Sequence, residues 1–334
     1  MGKTTEVAAD RAYDQTKTVL PAEVARGTYM QNAPGLAALK VMHLLIGKAG
    51  GRMGEDVQHH VRLSEVREVE GLRHHDRTSL TPLFAELQAA VLISDDTYKN
   101  RLTIGGLLDV AEVDYSEEEA GDLVISWYFS RMFTRAAAAS NHWAILDRQT
   151  VFHLGSKYSV LLFQHIASLA PLDRVSSKTF TIADLRALFG LPEGKHKRFA
   201  ELNRWAIKPA VEEINQLSRL HLTATTIKRG RSVTNVTINW EVKEDPTETK
   251  RELDRPKVGR KARRDGSAET PPLSFPVTGS VKGDKFWEPI ARDHVTRIQG
   301  GHVPDLRGLT DAFRNWCEAK GIPLDARAID KTFI

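Results

Sequence analysis

Apolar residues recur at helical spacing in several separate stretches of the chain, each punctuated by Gly or Pro. Leu36, Leu39, Met42, Leu45 and Ile46 predict a first helix, stopped by Gly50-Gly51. The stretch from Leu63 to Leu72 predicts a second. Ser79 opens a third, in which Leu80, Leu83, Phe84, Leu87 and Val91 share a face and Pro82 is tolerated as a first-turn residue. Short β-like runs follow, VLIS, RLTI, GLLDVAEVDY and DLVISWYF, the last two separated by the turn-prone SEEEAG.

After an alanine-rich connection the same order returns. Tyr158, Leu161, Leu162, His165, Ile166 and Leu169 form one helical stripe ending at Pro171. Thr181 and Asp184 form a capping-box pattern ahead of Ile182, Leu185 and Phe189, and a third helical stretch follows Gly194. HLTATTIK and SVTNVTINW then flank the tight polar turn KRGR, a hairpin pattern. Three helices and a hairpin, twice over, predict an α+β fold with two tandem winged-helix domains, 35–135 and 136–243. Residues 1–34 read as a flexible N-terminal arm and the charged, Pro- and Gly-containing stretch 244–285 as a flexible basic linker. Residues 286–334 read as a small helical C-terminal segment, with Asp311, Phe313, Trp316 and Cys317 on a helix ending at Gly321.

Composition narrows the chemistry. The chain has 334 residues, 41% of them hydrophobic, and a single cysteine, which excludes an internal disulfide framework and a CxxC zinc site. No apolar run approaches the roughly 20 residues of a membrane span, and the first residues lack a secretory core, so the expectation is a soluble cytoplasmic protein. The net charge is only +4 but unevenly placed: residues 250–264 carry eight Lys/Arg and two acids, a local +6, leaving −2 for the rest. Five further basic residues against Glu201 lie between Lys195 and Lys208, and three lie between Lys228 and Arg231, whereas GGLLDVAEVDYSEEEAGD is acidic. Basic patches on an otherwise acidic body point to a directed nucleic-acid surface.

The segment KHKRFAELNRWAIK carries the sharpest signal. As one helix it places Phe199, Leu202 and Ala206 on one side and Lys197, Glu201, Arg204 and Lys208 opposite, with Arg198, Asn203 and Trp205 on the seam. Arg and Lys donate to guanine, Asn pairs with adenine and Glu accepts from cytosine, so this face holds a mixed set for reading a major groove. An ordinary solvated helix gives the same pattern. The hairpin tilts the balance, because Lys228, Arg229 and Arg231 crowd its turn, where a wing would meet phosphates, while Lys195 opens the basic helical segment. RKARR at 260–264 fits either an anionic partner or plain solvation.

Catalytic and metal readings fail on spacing. Gly2-Lys3-Thr4 resembles the end of a phosphate loop without its upstream glycine. His59-His60 and His74-His75 are adjacent pairs that point apart, expected as surface histidines, and His165 lies on an apolar stripe as a core or boundary residue. No His-apolar-His triplet of a nickase occurs. The expectation is a protein with no enzymatic activity, metal or cofactor.

The run from Gly105 to Trp240 resembles the iteron-binding plasmid replication initiators. GLLDVAEVDYSEEEAGDLVISWYFS is similar to the hairpin closing their first winged helix, and FHLGSKYSVLLFQHIASLA to their Leu-x-Ser-Lys-Tyr helix, with Phe163 where Tyr is usual. TIADLRALFGLPEGKHKRFAELNRWAIKPAVEEIN is similar to their second-domain helices, through Gly190-Leu191-Pro192-Glu193 and the closing Pro-Ala-x-x-Glu-Ile-Asn. The resemblance implies a recognition helix in the major groove of repeated origin sites, on Lys197, Arg198, Glu201, Arg204 and Lys208. It also implies a first winged helix that meets neighbouring DNA and provides a homodimer interface, and host initiator and helicase as partners. Residues 36–104 match weakly and 244–334 lie outside it. A winged-helix transcriptional repressor uses the same chemistry and stays open as the alternative reading; direct repeats near the gene favour initiation and one inverted repeat favours repression.

Overall fold

The computed structural model describes residues 2–26, 29–96, 100–116, 122–172, 174–257, 259–266, 274–284, 286–292, 305–326 and 329–333. The chain divides into two compact units, 1–249 and 250–334.

The N-terminal residues are ordered, against the expectation of a flexible arm. Helix α1 (Lys3–Asp10) leads into strand β1 (Lys17–Pro21), helix α2 (Ala22–Arg26) and strand β2 (Tyr29–Gln31). Val19, Leu20, Ala22, Val24 and Ala25 are buried, and β1 pairs antiparallel with a strand more than 120 residues away, Lys17 facing Asp147 and Pro21 facing Trp143. Elements this short show no periodicity; only the distant partner reveals them. Gly2 belongs to the same packing: its N–H donates to Ala138 O at 2.7 Å, and a Cβ there would sit 2.5 Å from Ser140 O.

The first winged helix follows the expected order. Helix α3 (Leu36–Ala49) carries the predicted apolar stripe and ends in a 3₁₀ turn (Gly50–Gly54), followed by strand β3 (His59–Arg62) and helix α4 (Leu63–Arg67), shorter than the sequence pattern suggested. Helix α5 (Arg77–Ala89) starts earlier than expected: Asp76 is its N-cap, accepting from Ser79 N at 2.8 Å, while Ser79 Oγ takes the N–H of Asp76. Pro82 is therefore the sixth helical residue, beyond the first turn. Strands β4 (Val91–Asp96) and β5 (Arg101–Gly106) pair with each other and, through β4, with β2. Strands β6 (Leu108–Asp114) and β7 (Val124–Phe129) form the predicted hairpin, whose tip at 117–121 lies outside the described residues. With β3 they make a sheet of order β3-β7-β6. His59 is not a surface residue: it is 6% exposed and packs its ring 5.5 Å from Trp127 and 5.4 Å from Phe129.

Helix α6 (Arg131–Ala139), strand β8 (Trp143–Asp147), which is the partner of β1, and helix α7 (Arg148–His153) lead to the second copy. Helix α8 (Lys157–Leu169) is its central helix, capped by Ser156 and buried on almost every side. Strand β9 (Ser177–Thr181) and helix α9 (Ile182–Leu188) follow, and Thr181 and Asp184 close the predicted capping box. One further run comprises helix α10 (Phe199–Leu202), a π-helical turn (Asn203–Ile207) and helix α11 (Lys208–Leu217). Pro209 accounts for the wide turn, since it has no N–H for the carbonyl of Trp205 and its ring clashes with that position. Strands β10 (Leu220–Arg229) and β11 (Ser232–Val242) form the wing, in a sheet of order β9-β11-β10. Both copies thus run helix, strand, two helices and a closing hairpin, with the second strand of that hairpin in the middle of its sheet; the first copy inserts the pair β4–β5 before its hairpin.

Buried polar contacts join the copies inside the first unit. His43 Nε2 of α3 donates to Gln164 Oε1 of α8 at 3.2 Å, and Lys40 Nζ donates to Glu70 O at 3.0 Å and Phe152 O at 2.5 Å. Burial pushes the His43 imidazole down to about 4.

The second unit corrects the expected linker. Helix α12 (Thr247–Asp254), which spans the boundary, and helix α13 (Arg260–Arg264) lie in the stretch read as flexible. Glu252 gathers Arg263 at 2.6 Å, Arg255 at 3.5 Å and Arg260 at 3.9 Å, and Arg260 Nη2 also donates to the carbonyls of Glu252, Leu253 and Arg255. The charge run folds because one buried carboxylate and a helix C-terminus absorb it. The hydrophobic core starts before the expected boundary at 286: Phe275 and Val281 are fully buried with Trp287, Phe313, Cys317 and Phe333. Helix α14 (Leu306–Lys320), ending at Gly321 as predicted, and helix α15 (Ile329–Phe333) supply the other walls. The expected linker residues 267–273 lie outside the described residues.

Candidate nucleic-acid interface

The basic residues singled out in the sequence fall on three adjoining pieces of the second winged helix. Lys195 and Lys197 are exposed but not helical; they sit in the turn ahead of α10, where Gly194 (φ 93°) and His196 (φ 52°) take left-handed conformations. The helix begins at Phe199, later than expected, because those left-handed residues cannot continue it, and Arg198 is its N-cap residue. Arg186 of α9 holds the turn in place, donating to His196 O at 2.8 Å and Pro192 O at 3.2 Å. Along the helix Glu201, Arg204 and Lys208 are exposed and Asn203 half-buried, while Leu202, Ala206 and Ile207 pack inward. The two-faced reading of this segment therefore holds from Phe199 onward. Lys208 Nζ lies 3.7 Å from Glu212, and the Arg204 guanidinium sits 5.0 Å above the Trp205 ring.

The wing carries the remaining cations. Its strands pair from Leu220–Val242 out to Arg229–Ser232, whereas β9 covers β11 only as far as Asn235. Beyond that point the ribbon stands without a third strand, with Lys228, Arg229 and Arg231 all exposed. Gly230 (φ 64°) makes the two-residue turn possible, and the register slips between Ile227 and Lys228, a bulge that twists the tip.

A rigid frame aims these groups. Glu213 of α11, 8% exposed, accepts from Gly155 N at 2.8 Å and Ser159 Oγ at 2.5 Å, tying the helix to the start of α8. Asn215 clamps the helix to the wing through Leu222, at 2.6 and 2.9 Å, and Lys243 Nζ donates to the Asn215 and Ser218 carbonyls at the end of α11. Pro209, Glu213 and Asn215 are thus scaffold residues, a structural reason that the sequence motif alone does not show. Sequence reasoning also misses Lys157, half-buried at the start of α8, whose ammonium is pushed down by burial and then by the charge of Lys195. The Ser-Lys-Tyr pattern is its signal. His165 is a core histidine as expected: Lys178 Nζ donates to its Nε2 at 3.0 Å, and burial followed by Lys178 and Arg26 pushes it down to about 3. The patch at 260–264 is absorbed within the second unit, with Arg260 and Arg263 held by Glu252 and nearby carbonyls. Among the described residues no His/Cys/Asp/Glu cluster could hold a metal ion, and no helix is long and apolar enough to cross a membrane.

Residues 181–240, from the capping box of α9 to the end of the wing, match the family model for the initiator Rep protein, WH2. This segment is similar to the second winged-helix domain of initiator Rep proteins. The sequence resemblance and the winged-helix fold agree there, and all ten candidate DNA-binding residues fall inside the matched initiator Rep segment. No curated protein gives a significant match to the chain. Among solved structures, domains 2 and 3 of RctB align with 62% of this chain and 80% of that chain, at 7% identity and a TM-score of 0.38, too distant to carry an argument.

Proposed function

We propose that the chain is a sequence-specific, double-stranded-DNA-binding initiator of plasmid replication that recognises repeated origin sites, acts in the cytoplasm and catalyses no reaction itself. The observation that carries this reading is the initiator Rep match over a winged helix whose outward helix face and unsupported wing tip are both basic. A helix of this kind fills a groove about 12 Å wide, with Arg204, Asn203 and Glu201 facing base edges and Lys195, Lys197, Arg198 and Lys208 on its flanks; the wing then lies along the phosphates.

The first winged helix supports a homodimer. Among the described residues β5 pairs with β4 alone, which leaves its other edge without a strand, and Leu102 and Ile104 on one face of it are 58% and 62% exposed. Opening of the origin and recruitment of a host initiator and helicase belong to the same proposal. The test is binding of the full chain to duplexes carrying tandem direct repeats taken from beside its gene. The expected result is site-specific binding that weakens steeply with salt, as counterion release requires. Equal, salt-insensitive binding to all duplexes would overturn the reading.

A further inference from the structure

Trp205 is the large apolar side chain of the recognition run that the fold leaves outside, 56% exposed between the exposed Arg204 and the buried Ala206. The π-helical turn that accommodates Pro209 spans it, and Arg204 and Trp205 emerge side by side on the outer face. The Arg204 guanidinium covers one face of the indole at 5.0 Å, so the apolar rim of the ring stays open beside a cation with free donor capacity. Lys208 and Arg198 are exposed on the same run, which makes a cationic surround around one apolar group.

That juxtaposition has a direct counterpart on DNA. The major groove offers one apolar group, the 5-methyl of thymine, and guanine offers the paired acceptors that suit a guanidinium. We propose that Trp205 reads a thymine 5-methyl in the major groove, next to the guanine read by Arg204. This rests on the DNA-binding function proposed above. Stacking on Arg204 pre-orders both side chains, so little rotamer freedom is lost when they meet the bases. The indole then supplies apolar contact beside Arg204 and Lys208, which supply charge and hydrogen bonds, and offers far more apolar surface than the exposed methyl of Ala200.

The test needs no knowledge of the natural site. Duplexes selected by the full-length protein from a random pool are resynthesised with deoxyuridine replacing each thymidine in turn, which removes the methyl and leaves pairing intact. The expected result is a three- to tenfold loss of affinity at one thymine adjacent to a guanine, present for the parent protein and absent for Trp205→Ala. The same thymine should become dispensable in a selection run with that variant, whose melting temperature should equal the parent's. No uracil-sensitive position in the parent, or equal sensitivity in parent and variant, overturns the Trp205 assignment while leaving the DNA-binding function standing. Failure of the parent to select any sequence overturns both.

Discussion

The two winged helices share an order of elements and a strand order, yet they present opposite surfaces. In the second copy, Arg204 and Lys208 line the outer helix face and Lys228, Arg229 and Arg231 tip the wing. In the first, the exposed wing strand carries Asp109, Glu112 and Asp114, Glu86 lies on α5, and the exposed edge strand bears Leu102 and Ile104. Buried apolar residues specify the fold in both copies, whereas exposed residues are free to differ because they cost the fold little. An acidic wing repels phosphate and an apolar open edge favours protein. In the function proposed above the two copies divide labour, with DNA reading assigned to the second and chain-to-chain contact to the first.

The contact between the copies should be the most pH-sensitive part of the first unit. His43 in that contact, and His165 against Lys178 and Phe180 within the second copy, are buried and held neutral, at about 4 and about 3, against an ordinary value of 6.5. Between those values and 6.5 the unfolded chain binds the additional protons, so stability is full above 6.5 and falls as pH drops towards 4. Unfolding by urea should show a loss of about 4 kcal/mol from pH 7 to pH 5, on the order of 1.4 kcal/mol per unit for each histidine inside its window. His43→Gln should remove about half of that slope, the share that belongs to the contact between the copies; an unchanged slope would mean that His43 is not held neutral there.

Next in size is the clamp particular to the second copy. Glu213→Ala strands the Gly155 N–H and Ser159 hydroxyl that it now accepts from, and should cost about 2 kcal/mol, a fall in Tm of roughly 4–8 °C. Calorimetry of the full chain checks it. A smaller effect separates the wings. Replacing Lys228 and Arg229 with Ala should lower the slope of log affinity against log salt by roughly one for each phosphate left without its cation, and weaken cognate and random DNA alike. Replacing Glu112 and Asp114 with Ala should leave it unchanged. A slope or affinity raised by that second change would place DNA on the first copy as well.

The sequence made the second copy legible to the level of individual residues because its signals are local: a stripe on α8, a capping box at Thr181, a glycine turn in the wing. The outward set at Glu201, Arg204 and Lys208 followed from helical spacing alone. What it hid was non-local. Strands β3 and β9, four and five residues long, are defined by pairing with β7 and β11. The N-terminal elements are defined by β8 and the packing around it, and the basic stretch near 260 by Glu252 folding back onto it. The start of the recognition helix was misplaced by four residues, since left-handed geometry at His196, a non-glycine, leaves no mark in the sequence.

The central claim is that the α10–α11 run of the second copy reads bases while its wing meets only phosphates. It is tested most directly by selecting bound sequences from a random DNA pool with the parent protein, with Arg204→Ala and with the Lys228/Arg229 double alanine variant, Tm being matched beforehand. The account predicts that Arg204→Ala loses preference at one base position, with a cost of about 1–3 kcal/mol on the parent's site, while the wing variant selects the parent's sequence at lower affinity. An unchanged preference in the Arg204 variant would contradict it.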